Sequence, residues 1–442
     1  MKIKLSDHFT YKSLLKFVLP TIFMMIVTSI YSIVDGFFVS NFVGKNAFAA
    51  VNLIFPILMA VGAFGFMIGT GGSALVAKTM GEGDREKANR YFSMMTYVVI
   101  IFSLAVSIIC FIFMPQISRA LGASDLIFAD CVLYGRILIS VECFFMLQNS
   151  FQSFLVTAGK AGLGLGISIS AGLCNIILDF LLVYVFDFGI AGAAAATAFS
   201  QIVGGIIPVI YFARKNDSLL RLVKTKIELK ALGKACLNGS SEMLTNLSNS
   251  IVSILYNLQL IKLAAEDGIS AYGVVMYVSF IFMAFFFGYA IGVNPIIGYN
   301  YGAKNSNELK NVLKKSLVLT SIVSIAMLTI AVTFSNPISN IFVEYDAQLH
   351  DMTSNALKIY SFSFLFCGFN IFSSAFFTGL NNGVVSAIIS FTRTLIFQVA
   401  AVMILPIFLG INGIWLAITA AESATLILTI IFFITNKKKY NY

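Results

Sequence analysis

Apolar runs long enough to cross ~30 Å of hydrocarbon as helices recur along the whole chain. They predict spans near residues 14–38, 47–77, 91–114, 131–157, 161–186 and 190–212. Six more follow near 235–262, 269–298, 314–334, 356–379, 384–408 and 412–435. The longer runs are unbroken for more than ~20 residues, unlike membrane β-strands, which need ~10 residues and alternate polar with apolar. Such lengths imply tilted or bent helices. Pro56, Pro295 and the glycines of "GFMIGTGG" supply bend points. The first run follows Lys2, Lys4, Lys12 and Lys16, so a signal peptide has to be weighed. At ~24 residues it exceeds the ~7–15 of a signal-peptide core and reads as a retained span.

Composition agrees. Of 442 residues, 59% are hydrophobic and only 11% charged, against ~25% charged in soluble proteins. The expected class is an all-α integral membrane protein. A net charge of +9 raises the question of nucleic acid, but the bases sit in short loops and not on one face, so none is expected as a partner. The six cysteines lie in or beside apolar runs without CxxC spacing and read as small buried residues.

Twelve spans put both termini on one side. The loops and flanks assigned to the opposite side carry Lys45, Arg119, Arg136, Lys262 and Lys358, and Arg393 lies within a span. Every other base falls on the side of the termini, so both termini are expected in the cytoplasm. The longest basic linker, "ARKNDSLLRLVKTKIELK", lies at mid-chain. It separates an expected amino-terminal lobe (1–213) from a carboxy-terminal lobe (235–442), with 214–234 as cytoplasmic linker.

The chain also repeats itself at an offset of 221 residues, half its length. "TMGEGDREKANRYF" (79–92) aligns with "NYGAKNSNELKNVL" (300–313), and "FGIAGAAAATA" (188–198) with "LGINGIWLAIT" (409–419). "KAGLGLGISIS" from Lys160 aligns with "NNGVVSAIIS" from Asn381. Three matches at one offset make a duplication. Halves of six spans share one membrane orientation, so a pseudo-twofold axis along the membrane normal relates them.

Four stretches, in order and in the right spans, carry a family resemblance: "VDGFFVSNFVGKNAFAAVNLIFPI", "GEGDREKA", "NIILD" and "GIAGAAAAT". Along nearly its whole length the chain resembles the multidrug and toxic compound extrusion (MATE) family. The resemblance implies twelve helices in two V-arranged six-helix lobes, and cation-coupled efflux. The loop "TAGKAGLG" departs from the family's usual Gly-Asp-Thr-Lys-type sequence before the fifth span, which leaves that loop's role open.

Ionisable groups inside a membrane are costly and mark candidate sites. Six fall within spans: Asp35, Glu142, Asp179, Glu242, Arg393 and Glu422. At ~1.5 Å per residue, Asp35 lies roughly 30 Å along its span and Asp179 roughly 27 Å along its own. Thr197 comes two turns into the sixth span, at similar depth, and Asn175 shares a helix face with Asp179 at i, i+4. Two close carboxylates in low dielectric cannot both ionise freely, so one proton is held or a cation replaces it. With the amide and hydroxyl oxygens they form a set suited to H⁺ or Na⁺, and the choice stays open. By resemblance, Asp35, Asn175, Asp179 and Thr197 match the cation-coupling cluster of the family's prokaryotic, DinF-like branch. The repeat partners are Tyr256, Ile396, Ala400 and Ile418, so the second half lacks the set.

Glu142, Glu242, Tyr256, Arg393 and Glu422 are candidates for a substrate cavity between the lobes, with a mutually neutralising Arg393–Glu422 pair as the alternative. Most Phe and Met, as in "FIFMAFFFGYA", read as packing or lipid-facing residues, though aromatic faces also suit flat organic cations. No GxxxxGK[ST] loop, HExxH or nucleophile elbow occurs, so neither ATP hydrolysis nor another enzyme activity is expected. The expected function is antiport of organic cations against H⁺ or Na⁺, by a monomer in a bacterial cytoplasmic membrane, with no cofactor beyond the coupling ion. An exporter or flippase of lipid-linked or endogenous cargo is the alternative. The bias of 22 Lys to seven Arg fits an AT-rich bacterium.

Overall fold

The computed structural model describes residues 3–344 and 346–442. Lys2 lies outside them, as does the side chain of Lys45. All regular structure among the described residues is helical. The first half holds α1 (Tyr11–Phe38), α2 (Lys45–Gly81), α3 (Arg85–Ala120), α4 (Phe128–Ser140), α5 (Glu142–Thr157), α6 (Ala161–Asp179) and α7 (Gly189–Ala213). An irregular linker leads to α8 (Leu229–Gly302), α9 (Ser306–Thr333), α10 (Ser335–Val343) and α11 (Ala347–Ser361). α12 (Phe364–Gly379), α13 (Gly383–Phe391), α14 (Gln398–Leu409) and α15 (Ile411–Tyr440) complete the second half.

These elements resolve into the twelve expected spans. Nine helices among the described residues are long and apolar enough to cross a membrane, and α11 with α12, bent by 47°, makes a tenth. The other two are broken or polar. The fourth span is split at Val141 into α4 and α5 of 13 and 16 residues. The seventh is the first part of α8, which is interrupted at Ala264 and Ala265, where φ takes values of −145° and 50°. Single turns of π-helix follow α1 (Val39–Val43) and α6 (Phe180–Val185) and join α13 to α14 (Thr392–Phe397). Each adjoins or contains an intramembrane charge, and such bulges concentrate at functional sites.

The repeat is written into local geometry. Asp84 caps α3 by accepting from the Lys87 N–H at 2.9 Å, and Asn305 caps α9 by accepting from the Glu308 N–H at 3.2 Å. These caps are repeat partners, and both satisfy amides that the first helical turn leaves free. Left-handed backbone recurs at matched positions too, at Gly83 and Lys304 (φ 89° and 55°) and at Gly189 and Gly410 (φ 54° and 57°).

The pseudo-twofold is clearest where the lobes touch. A Cβ on Gly81 would lie 2.0 Å from the Tyr299 carbonyl oxygen, and one on Gly302 would lie 2.0 Å from that of Lys78. Adding 221 to Gly81 and Lys78 converts the first contact into the second. Likewise Gly71 abuts Gly239, and its partner Gly292 abuts Val18, the partner of Gly239. All these contacts sit toward the beginning of α1, the end of α2, the beginning of α8 and the end of α8. The helices therefore close against one another at the face that carries the termini.

Both termini reinforce that face. The segment before α1 crosses to the second lobe, where Glu308 accepts from the Phe9 N–H at 2.9 Å and Asn311 donates to the Phe9 carbonyl at 2.9 Å. Phe9 is fully buried there, and Tyr440 and Tyr442 join the same core. The loop before α6 has a partner as well: Lys160 pairs with Asp217 of the linker, which holds the ammonium above its usual range.

Candidate functional site

Two polar sites emerge, one inside the first lobe and one between the lobes. α1, α6 and α7 bring Asp35, Asn175, Asp179 and Thr197 together away from the terminal face. The Thr197 hydroxyl donates to Asp35 Oδ1 at 3.1 Å. Asn175 and Asp179 are the other polar neighbours of that carboxylate. The i, i+4 spacing puts both on the face of α6 that packs on α1, and both are buried. Asp179 Oδ1, Asp179 Oδ2 and Asn175 Oδ1 accept from no N–H or hydroxyl group, and the hydrogen-bonding neighbour of Asp179 is the Asp35 carboxyl. No ion pair between a described lysine or arginine and either aspartate is present. Buried acceptors normally find donors, so an acid without one beside a second acid fits a shared proton or a bare cation.

No group of three or more His, Cys, Asp or Glu suited to a metal occurs among the described residues. A cation here would be held by two carboxylates plus neutral oxygens, a set suited to hard ions. Two tyrosines complete the surroundings and were not anticipated. Tyr134 of α4 is buried within electrostatic reach of both acids. Tyr31 neighbours Asp35 and Gln148. Tyr31 precedes Asp35 by four, a spacing that signals a shared face; nothing in the sequence points to Tyr134.

The second site is a cavity of about 230 Å³ between the lobes. It is lined by Met25 of α1, Phe66 and Thr70 of α2, Asn149 and Gln152 of α5, and Glu242, Asn246 and Asn294 of α8, among others. Glu242 is its one carboxylate, and no lysine or arginine is among its described lining residues. α1 serves both sites, since Met25 meets the cavity and Asp35 lies ten residues, nearly three turns, further on.

Of the five residues expected at the cavity, only Glu242 lines it. The other four turn into the lobe interiors. Glu142 is 1% exposed, in the first turn of α5 just after the break at Val141, and its Oε1 has no hydrogen-bond partner. Glu422 accepts from Arg393 Nε at 2.7 Å and from Asn370 Nδ2 at 2.7 Å. The alternative of a neutralising pair is therefore what the geometry shows. Tyr256 stacks on Tyr272, with ring centroids 4.9 Å apart, and is buried beside Glu422. A buried charge is tolerated when paired, and a large ring when stacked.

This pair makes a stability prediction. Arg393→Met strands a buried Glu422 and should cost about 3–5 kcal/mol, whereas Arg393→Met/Glu422→Leu should recover most of it. Thermal unfolding in detergent measures both. Equal loss in the single and double variants would contradict the pairing argument.

Comparison with known proteins follows the same two-lobe plan. The MatE family model matches two equal segments, residues 20–181 and 243–404. The chain is 25% identical over 435 residues to the multidrug export protein MepA of Staphylococcus haemolyticus, covering 97% of this chain and 94% of that one. It is 24% identical over 423 residues to MepA of Staphylococcus aureus, covering 93% and 91%. Among solved structures, the outward-facing conformation of a multidrug resistance MATE family transporter superposes with a TM-score of 0.92 at 23% identity, over 98% and 96% of the two chains. A Pyrococcus furiosus transporter, described as having a binding pocket of reversed polarity that suggests a different function, has the same fold at a TM-score of 0.90, with 22% identity over 98% and 97%. A family model that accounts for most of both lobes shows the family: the chain belongs to the MatE family of multidrug efflux transporters.

Proposed function

We propose that the protein exports organic cations in exchange for H⁺ or Na⁺ by alternating access, with Asp35, Asn175, Asp179 and Thr197 holding the coupling ion. The observation that carries this reading is a contrast between the lobes. Glu422 has an internal counter-cation in Arg393, whereas Asp179 has no base and its hydrogen-bonding neighbour is a second acid, Asp35. Low dielectric makes an uncompensated pair of acids bind a cation from outside. Ion binding there acts on α1, and α1 passes the change to the cavity through Met25.

In this reading cargo binds in the cavity, where a single acid and no base favour positive charge. The same polarity argues against phosphate-bearing lipid cargo, which calls for basic residues. Both termini face the cytoplasm, the chain works as a monomer in a bacterial cytoplasmic membrane, and the lobes divide at the 214–234 linker. Ion and drug each disfavour the conformation that binds the other, as reciprocal linkage requires. The test is uptake of ethidium into inverted proteoliposomes, driven separately by a Na⁺ and a pH gradient. Uptake under at least one gradient is expected; none under either would refute the antiport reading.

A further inference from the structure

Two amides at the cavity each keep one polar atom without a partner in the fold. Asn149 of α5 is 6% exposed, and its Nδ2 has no hydrogen-bond partner. Asn294 of α8 is 5% exposed, and its Oδ1 has none. Asn294 Nδ2 reaches the Ala375 carbonyl at 3.5 Å, which turns Oδ1 away from that contact. Leucine would pack either position without stranding a polar atom, so an unpaired buried amide is a feature to be explained. Both side chains line the same cavity as Glu242. Asn149 belongs to the first lobe, whereas Asn294 and Glu242 belong to the second.

We propose that cargo is recognised across the lobe interface: Glu242 takes the positive charge, while Asn149 and Asn294 hydrogen-bond a polar group on the same molecule. The inference rests on the cavity being the cargo site. The class of cargo it names is narrower than organic cations at large. It is a cation that also carries N–H or O–H donors for Asn294 Oδ1, together with an acceptor for Asn149. Because the two amides sit on opposite lobes, rocking the lobes apart separates them. A cargo that touches both binds one conformation better than the other, and only such differential affinity lets a ligand shift a conformational equilibrium.

The test compares two permanent cations in proteoliposomes. Rhodamine 6G carries two N–H donors and an ester carbonyl acceptor, and tetraphenylphosphonium carries no hydrogen-bonding group. Asn294→Leu and Asn149→Leu are each expected to raise the KM for rhodamine 6G by about 10-fold, the value of one neutral hydrogen bond. The KM for tetraphenylphosphonium should stay unchanged, and this also reports that the variant is folded. Equal change for the two cations, or no change for either, overturns the proposal. Asn294→Ala serves if the leucine variant does not yield monodisperse protein. It removes the amide with less steric change and is scored by the same ratio. Wild-type protein that moves neither cation refutes the transport reading itself, an outcome distinct from losing selectivity in a variant.

Discussion

Asp179→Asn is expected to cut ion-driven export steeply while leaving the protein folded and inserted. The substitution keeps the volume and removes only the charge. Neither carboxylate oxygen of Asp179 accepts from an N–H or hydroxyl group, and an asparagine amide can still donate to the neighbouring Asp35 carboxylate. An uncharged group also suits this buried position on α6 better than an unpaired anion. Thermal stability in detergent should therefore stay level or rise. Transport should fall by roughly 5- to 150-fold, the range of ordinary coupling free energies. Asp35→Asn is expected to act in the same direction, with a small stability effect because its carboxylate accepts from Thr197 at 3.1 Å. Export by either variant at the wild-type rate under the same gradient would remove the aspartates from the coupling mechanism. A loss of folded protein matching the loss of transport would instead assign them to helix packing.

The second large effect concerns the lobe contact. In Gly81→Ala/Gly302→Ala each new methyl falls 2.0 Å from a backbone oxygen, of Tyr299 and of Lys78 respectively. No side-chain rotation relieves such contacts, so α2 and the end of α8 must move apart. Overpacking of this kind costs about 1–3 kcal/mol, and a conformation open at the terminal face does not bear that cost. The double variant should therefore shift the resting population toward that conformation by roughly 5- to 150-fold. Spin labels placed in the two lobes at the terminal face would report a longer distance. Gly233→Ala is the control, since a Cβ there meets nothing within 4 Å. An unchanged distance distribution in the double variant would show that these glycines do not hold the face closed.

What could be read along the chain followed from periodicity and counting. Span positions, the 221-residue repeat and the matched caps at Asp84 and Asn305 need only local sequence. Depth needs little more, because helical rise converts residue number into distance along an axis. That arithmetic put Asp35, Asp179 and Thr197 at one level, and the fold brings them together. It also left Glu142, Glu242, Tyr256, Arg393 and Glu422 as candidates for the cavity, with an Arg393–Glu422 pair as the alternative.

Sequence alone thus determined the membrane class, the two-lobe duplication, the family resemblance and the levels at which charges lie. Tertiary structure decided which way each of those charges points. Glu242 opens on the cavity, Glu422 is neutralised by Arg393, and Glu142 is closed into the first lobe beside a helix break. The physical reason is that depth is a property of one helix, whereas rotation about its axis is set by neighbours. Packing of α5 against α2 and α7, of α8 against α1 and α2, and of α15 against α12 and α14 fixed those rotations.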